Sequence, residues 1–357
     1  MNDEPLPHDR TAVPRPARVF AYERLDVRDT SIDWLSSRGV EIRFGSAQRQ
    51  AGFRRYSEEL FIEEAQGCDA LLGSSSALIG RRVIEALPDL AFICKFGIGV
   101  DSIDVGAATE HGILVTNTPD EAGVVAVAEH AIALILALRK RLTVWTPASM
   151  KAGGWRGSEY AGMVRGMTVG IIGFGRIGHA VASRLAGWNV TILAYDVRHV
   201  ESDDKADDGV VRVALDELLR RADVVTLHCG ATPQNGHLID HAALARMKES
   251  ALLINTGRGS LVDPVALVQA LRSGRLAGAG LDVYEQEPPD PQNELFTLPN
   301  VVTTPHVAAW TLDVVLDRRA RAARNLHALL RGEACADVVN PEARPRARPR
   351  AFPVDPA

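Results

Sequence analysis

The chain has 357 residues, 46% of them apolar and 24% charged, with a formal net charge of −5. This length exceeds the ~100–200 residues of a single domain, so two domains are the default, and the apolar share supplies each with a core. A slightly acidic protein has no basic surplus for a phosphate backbone or an anionic lipid surface, so neither nucleic acid nor membrane is an expected partner.

Residues 1–17 are polar and proline-bearing, lack the apolar segment of a secretory signal, and read as a disordered lead. Strands predicted at 19–22, 40–44, 70–73, 92–96 and 113–117 then alternate with helical stretches near 31–37, 57–66 and 80–87. Such alternation implies a mostly parallel sheet covered on both faces. Thr118-Pro119 interrupts it, because the residue before a proline is driven out of helical space. The apolar stretch 124–138, broken by Glu129 and His130, is short for a bilayer and predicts a buried helix over about 120–138. The next segment, 139–165, holds Trp145, Pro147, Gly153, Gly154 and Trp155 and reads as an irregular arm with a functional or interface role.

A second alternation runs from 167 to 304, with strands predicted at 168–172, 190–194, 224–228, 252–255, 278–283 and 301–303. Its first strand stops at Gly173, Gly175 and Gly178, and an amphipathic helix begins at Arg176 and Ile177. In this pattern the first glycine makes a tight turn, the second lets backbone approach a pyrophosphate, and the third lets helix and strand pack closely. The helix N-terminus presents N–H groups and a positive dipole end to phosphate. Asp196 ends the following strand, 18 residues past Gly178, where a carboxylate accepts from a ribose diol and repels a 2′-phosphate. The cofactor expected here is NAD.

Thr304-Pro305 closes this unit, and a helix is predicted over 311–331. The two Thr-Pro breaks bracket a complete doubly wound unit. The expected architecture is therefore α/β, with a Rossmann NAD-binding domain (119–308) inserted into a discontinuous flavodoxin-like substrate domain (18–118 plus 309–341). The proline- and arginine-rich end, 342–357, reads as a disordered tail. Four scattered cysteines, Cys68, Cys94, Cys229 and Cys335, have no Cys-x-x-Cys pair or neighbouring histidine at ligand spacing. They suit reduced thiols in a cytoplasmic protein, with no metal.

Ligands of open parallel sheets bind beyond the carboxyl ends of strands. Just past three of them stand Arg258, the pair Glu285 and Glu287, and His306. Together these types suit a 2-hydroxy or 2-keto acid. His306 handles the proton at the C2 oxygen, one of the two glutamates orients its ring, and Arg258 grips a carboxylate through two parallel N–H bonds.

Several motifs now combine. They are Gly97-Ile98-Gly99 with Asp101 and Asp104, Glu129-His130, the glycine turn at 173–178, and Asn255-Thr256-Gly257-Arg258-Gly259. Further on come Gly280 to Pro288, Thr304-Pro305-His306, and Asn340-Pro341. In this order the chain resembles the NAD-dependent D-2-hydroxyacid dehydrogenases. The resemblance implies Arg258, Glu287 and His306 as the catalytic set, since the family's acid lies five residues after the aspartate that Asp282 matches. It implies nicotinamide contact by Asp282, with Cys229, Thr256 and Gly257 lining the cofactor. The substrate would be held by backbone N–H groups at 97–99, above all Ile98 and Gly99, and by Arg258 and His306. A homodimer formed through the arm follows from the same likeness. Ser74 stands where phosphoglycerate enzymes of the family usually carry an arginine, which favours a short, unphosphorylated acid. An NAD-sensing corepressor-like adaptor and a phosphite dehydrogenase are the alternative readings.

Overall fold

The computed structural model describes residues 15–23, 29–46, 56–155, 160–198, 209–232 and 234–343. Most of the expected lead, all but the first residues of the tail, and residues 156–159 of the arm lie outside these. The chain divides into two compact units. One is built from the described residues up to Asp120 and from Leu312 onward, the other from Glu121–Thr311.

The first unit carries β1 (Arg18–Ala21), β2 (Glu41–Phe44), β3 (Ala70–Gly73), β4 (Phe92–Lys95) and β5 (Leu114–Thr116). All neighbours pair in parallel, in the order β2-β1-β3-β4-β5. Successive side chains of a strand face opposite ways, and the core divides accordingly. Phe20, Leu71 and Ile93 enter one cluster; Val19, Ala21, Ala70, Leu72, Phe92 and Cys94 enter the other. The helix Leu312–Leu330 covers the second face with Ala322, Ala323, Leu326 and Leu330. The first unit is thus completed by the end of the chain.

The second unit carries β6 (Thr168–Ile172), β7 (Thr191–Tyr195), β8 (Val210–Arg212), β9 (Val224–Leu227), β10 (Leu252–Asn255), β11 (Gly278–Leu281) and β12 (Val301–Thr303). They form a parallel sheet in the order β12-β11-β10-β9-β6-β7-β8. The strand order reverses at β6, which is the doubly wound dinucleotide-binding layout with one strand added. β9, β10 and β11 are buried along their whole length, as strands covered on both faces must be.

Three sequence expectations need correction. The helix Glu121–Arg139 has 19 residues and is, by length and composition, long and apolar enough to cross a membrane. Ala128, Ala131, Leu134 and Ile135 instead pack in the second unit's core, which accounts for its apolarity. The strand β8 was not foreseen, being three residues at the sheet edge with only Val210 buried. The arm, read as irregular, contains the helix Pro147–Lys151, started by a reciprocal cap between Thr146 and Ser149.

Candidate active site

β6 runs into Gly173, whose φ is +89°. A Cβ there would lie 2.5 Å from the Cys229 nitrogen, so only glycine fits both the backbone angle and the neighbour. A Cβ on Gly178 would meet the Gly173 carbonyl oxygen at 2.5 Å, which fixes how closely helix Arg176–Leu185 starts against β6. Gly175, the N-cap, differs. Nothing approaches it nearer than the Arg198 guanidinium at 3.8 Å, so its bare backbone faces open space in front of a ten-residue helix. That is the space a pyrophosphate requires.

Of the residues opening that helix, Arg176 bonds Glu121 at 2.9 Å and Ile177 packs against the core. Asp196 follows β7 and accepts the Phe174 N–H through Oδ2 and the Arg198 N–H through Oδ1, each at 2.9 Å. Burial pushes its carboxyl up, but these donors and the Arg198 charge outweigh that and hold it below the usual range. The same turn therefore has an ionised group past the second strand, as a ribose diol requires. His199, which the sequence places close by, lies outside the described residues.

Cys229 follows β9 and its backbone abuts Gly173. The preceding His228 sits between the hydroxyls of Thr226 (2.9 Å) and Thr256 (3.2 Å), and burial pulls its pKa down to about 3, so the ring is neutral. A Cβ on Gly257 would meet the Cys229 carbonyl oxygen at 2.9 Å. Cys229, Thr256 and Gly257 thus occupy adjoining strand ends beside the glycine turn.

Arg258 leaves β10 in extended backbone, its carbonyl accepting from Asn255 Nδ2 at 2.9 Å and its Nη1 donating to the Gly257 carbonyl at 2.8 Å. A Cβ on Gly259 would collide with the Tyr284 backbone at 1.9 Å, so the loops after β10 and β11 meet only because this residue has no side chain. Glu287, in the second of those loops, accepts the Tyr284 N–H at 3.0 Å through Oε1 and bonds His306 Nδ1 at 2.7 Å through Oε2. The other glutamate left open by the sequence, Glu285, pairs with His237 at 2.7 Å.

The Glu287 hydrogen bond lifts the His306 pKa above its ordinary value, against the opposing effects of burial and the Arg258 charge. For Glu287, burial acts upward, but the His306 hydrogen bond and charge and the Tyr284 N–H hold the carboxyl low. Arg258 acts in the same direction, so its charge is felt at both partners. The structure brings Glu287 and His306 into contact, with the Arg258 charge acting on both.

Asp282 has a place that sequence reasoning missed. It is 1% exposed; Oδ1 accepts from the Thr304 hydroxyl (2.6 Å) and the Val307 N–H (2.8 Å), and Oδ2 from the Ala308 N–H (2.9 Å). Its own carbonyl takes the His306 N–H at 2.8 Å. The carboxylate therefore acts as the post around which residues 304–308 are wound. His306 sits at φ +55°, a backbone angle uncommon outside glycine that these bonds enforce.

In the first unit, the 97–99 loop differs from expectation. The Gly97 N–H is spent on Thr118 Oγ1 at 2.7 Å. The N–H groups of Ile98 and Gly99 have no hydrogen-bond partner among the described residues. Ser74 presents no cation, but buried Lys95, at the end of β4, donates to the neighbouring Ser75 hydroxyl at 3.0 Å. Among the described residues, no group of three or more His, Cys, Asp or Glu side chains is arranged to hold a metal ion.

Residues 132–308 match the profile of a family described as D-isomer specific 2-hydroxyacid dehydrogenase, NAD binding domain. The chain is 41% identical over 293 residues to the glyoxylate reductase of Korarchaeum cryptofilum, covering 80% of this chain and 87% of that one. It is 36% identical over 315 residues to the D-3-phosphoglycerate dehydrogenase of Archaeoglobus fulgidus, covering 88% of this chain but 58% of that longer one. Among solved structures, a glyoxylate reductase from Paecilomyes thermophila superposes with a TM-score of 0.78 at 31% identity, covering 92% of this chain and 99% of that one.

Proposed function

Because the chain belongs to the D-isomer-specific 2-hydroxyacid dehydrogenase family, we propose that it is an NAD-dependent oxidoreductase interconverting a small 2-keto acid and its D-2-hydroxy acid. The observation that carries this reading is the 2.7 Å bond between Glu287 and His306, with the Arg258 charge acting on both. NAD, when bound, supplies or accepts the hydride at C2. Arg258 grips the substrate carboxylate and polarises the keto oxygen. Glu287 fixes Nδ1 of His306, which leaves Nε2 to deliver the proton to the C2 oxygen in reduction and to recover it in oxidation.

The substrate is read as short and unphosphorylated, from Ser74 in place of the family's phosphate-binding arginine. Trp155 (73% exposed), Tyr160 (93%) and Met163 (67%) lie along the arm and support a homodimer formed through it. Four unpaired thiols support a reducing, cytoplasmic setting. The test is NADH oxidation on a panel of glyoxylate, hydroxypyruvate, pyruvate and their phosphorylated relatives. Turnover on the short acids is expected. No turnover on any of them, with NADH still bound, would replace the enzyme by an NAD-sensing adaptor.

A further inference from the structure

Helix Glu121–Arg139 lies across β11 in a register that two glycines make possible. A Cβ on Gly278 would stand 3.3 Å from Leu138, and one on Gly280 would stand 3.0 Å from the Leu134 Cβ. Stepping four residues back along the helix therefore matches stepping two residues forward along the strand. The distances agree, since four helical residues rise about 6.0 Å and two strand residues about 6.6 Å. One further step of each brings His130 to Asp282, with Nε2 3.6 Å from Oδ1.

His130 Nε2 also lies 2.9 Å from Thr304 Oγ1. The direction of these bonds follows from the inventory of protons. The Asp282 carboxylate oxygen accepts, so the Thr304 hydroxyl donates to it at 2.6 Å. The Thr304 oxygen is then an acceptor, and His130 must donate, which places a proton on Nε2. Tyr284 grips the same residue from the other side, its hydroxyl donating to the Thr304 carbonyl at 3.1 Å. Two residues further on is His306.

We propose that His130 is a positioning residue: through Thr304 and Asp282 it holds the 304–308 loop in the one conformation that keeps the His306 ring on Glu287. The inference rests on the reading of His306 as the proton carrier. The charged groups that act on His306 are Glu287, Asp282 and Arg258. Asp282 faces His130 across Thr304, and the adjacent Glu129 is engaged by Arg184 at 3.5 Å.

The test compares the full-length wild type with His130→Leu, which cannot donate, and His130→Gln, whose amide N–H can. The His306 ring is followed by NMR titration, its signal assigned by its loss in His306→Ala, alongside kcat and KM for the best keto acid. In His130→Leu the His306 midpoint is expected to fall by about half a pH unit or more, as the ring slips from Glu287. The same variant loses kcat by about tenfold at little-changed KM, and His130→Gln recovers both. A midpoint that does not move in His130→Leu, even with reduced thermal stability, would reduce His130 to a core residue, and an equal fall in both variants would remove the hydrogen bond from the argument. Wild-type protein without turnover would count against the enzyme reading alone, because the NMR comparison needs no activity.

Discussion

The two sheets share a feature and use it in opposite ways. Each is parallel and reverses its strand order once, between β1 and β3 in the first unit and between β6 and β9 in the second. Such a reversal opens a crevice at the carboxyl ends of the strands. In the first unit the residue after β1 is Tyr22, fully buried, its ring so close to Gly73 that a Cβ there would stand 2.5 Å from it. Its hydroxyl donates to the Ser74 carbonyl at 3.1 Å, and the crevice is plugged. In the second unit the residue after β6 is Gly173, and the turn leads to the open backbone of Gly175. Topology supplies the crevice twice; the presence or absence of one side chain decides whether a ligand can use it.

The sharpest break in this comparison is chemical. Arg258→Ala, Glu287→Gln and His306→Ala are each expected to lower turnover by ~10²-fold or more while NADH still binds, measured by steady-state rates and fluorescence titration. Near-normal rates in His306→Ala would end the mechanism. The same pair sets the pH response. Glu287 holds the His306 pKa above the ordinary 6.5, so reduction, which consumes that proton, is expected to decline as pH rises through the raised value. Oxidation should rise over the same interval, and Glu287→Gln should move both limbs to lower pH.

Next in size is the glycine turn. Gly173→Ala puts a Cβ into a left-handed position against Cys229, with strain of ~1–3 kcal/mol. NADH affinity is expected to fall by about tenfold or more on titration. Asp196→Ala tests cofactor choice. Wild type should favour NAD(H) over NADP(H) in kcat/KM, and the variant should narrow that ratio by about tenfold as the repelling carboxylate goes. The smallest effect belongs to the plugged crevice. Tyr22→Phe leaves the Ser74 carbonyl without its donor, for about 1 kcal/mol on denaturant unfolding with turnover unchanged.

Legibility followed the reach of the physical signal. Strands β3, β6, β10 and β12 stand where their apolar runs predicted them. The glycine turn could be read because Gly173 and Gly178 answer nearby steric demands, while Gly175 keeps the backbone bare where a pyrophosphate would approach. Residue types alone do not choose between Glu285 and Glu287, since both flank Gln286 in one loop; the family resemblance points to Glu287, and in the structure His237 occupies Glu285. Nor could the post made by Asp282 be foreseen, because its donors come from a strand end 22 to 26 residues away. Nothing in the sequence singles out Lys95, the last residue of β4, as a buried cation; the structure buries it against Ser75.

Asn340 carries a consequence for how the molecule is made. It is fully buried, accepts the Val115 N–H at 2.8 Å, and donates to the Ile113 carbonyl and the Thr109 hydroxyl at 2.9 and 3.0 Å. Val115 leaves the ribosome 225 residues before its partner, and the whole of Glu121–Thr311 emerges in between. The later unit is therefore complete while the earlier one still lacks the helix over Val19, Leu72 and Cys94. Translation thus imposes an order, in which the nascent N-terminal strands wait with an apolar face uncovered and close only when the final helix and Asn340 arrive. A stop codon shortly before Leu312 would leave the middle of the chain able to fold and its beginning dependent on chaperones.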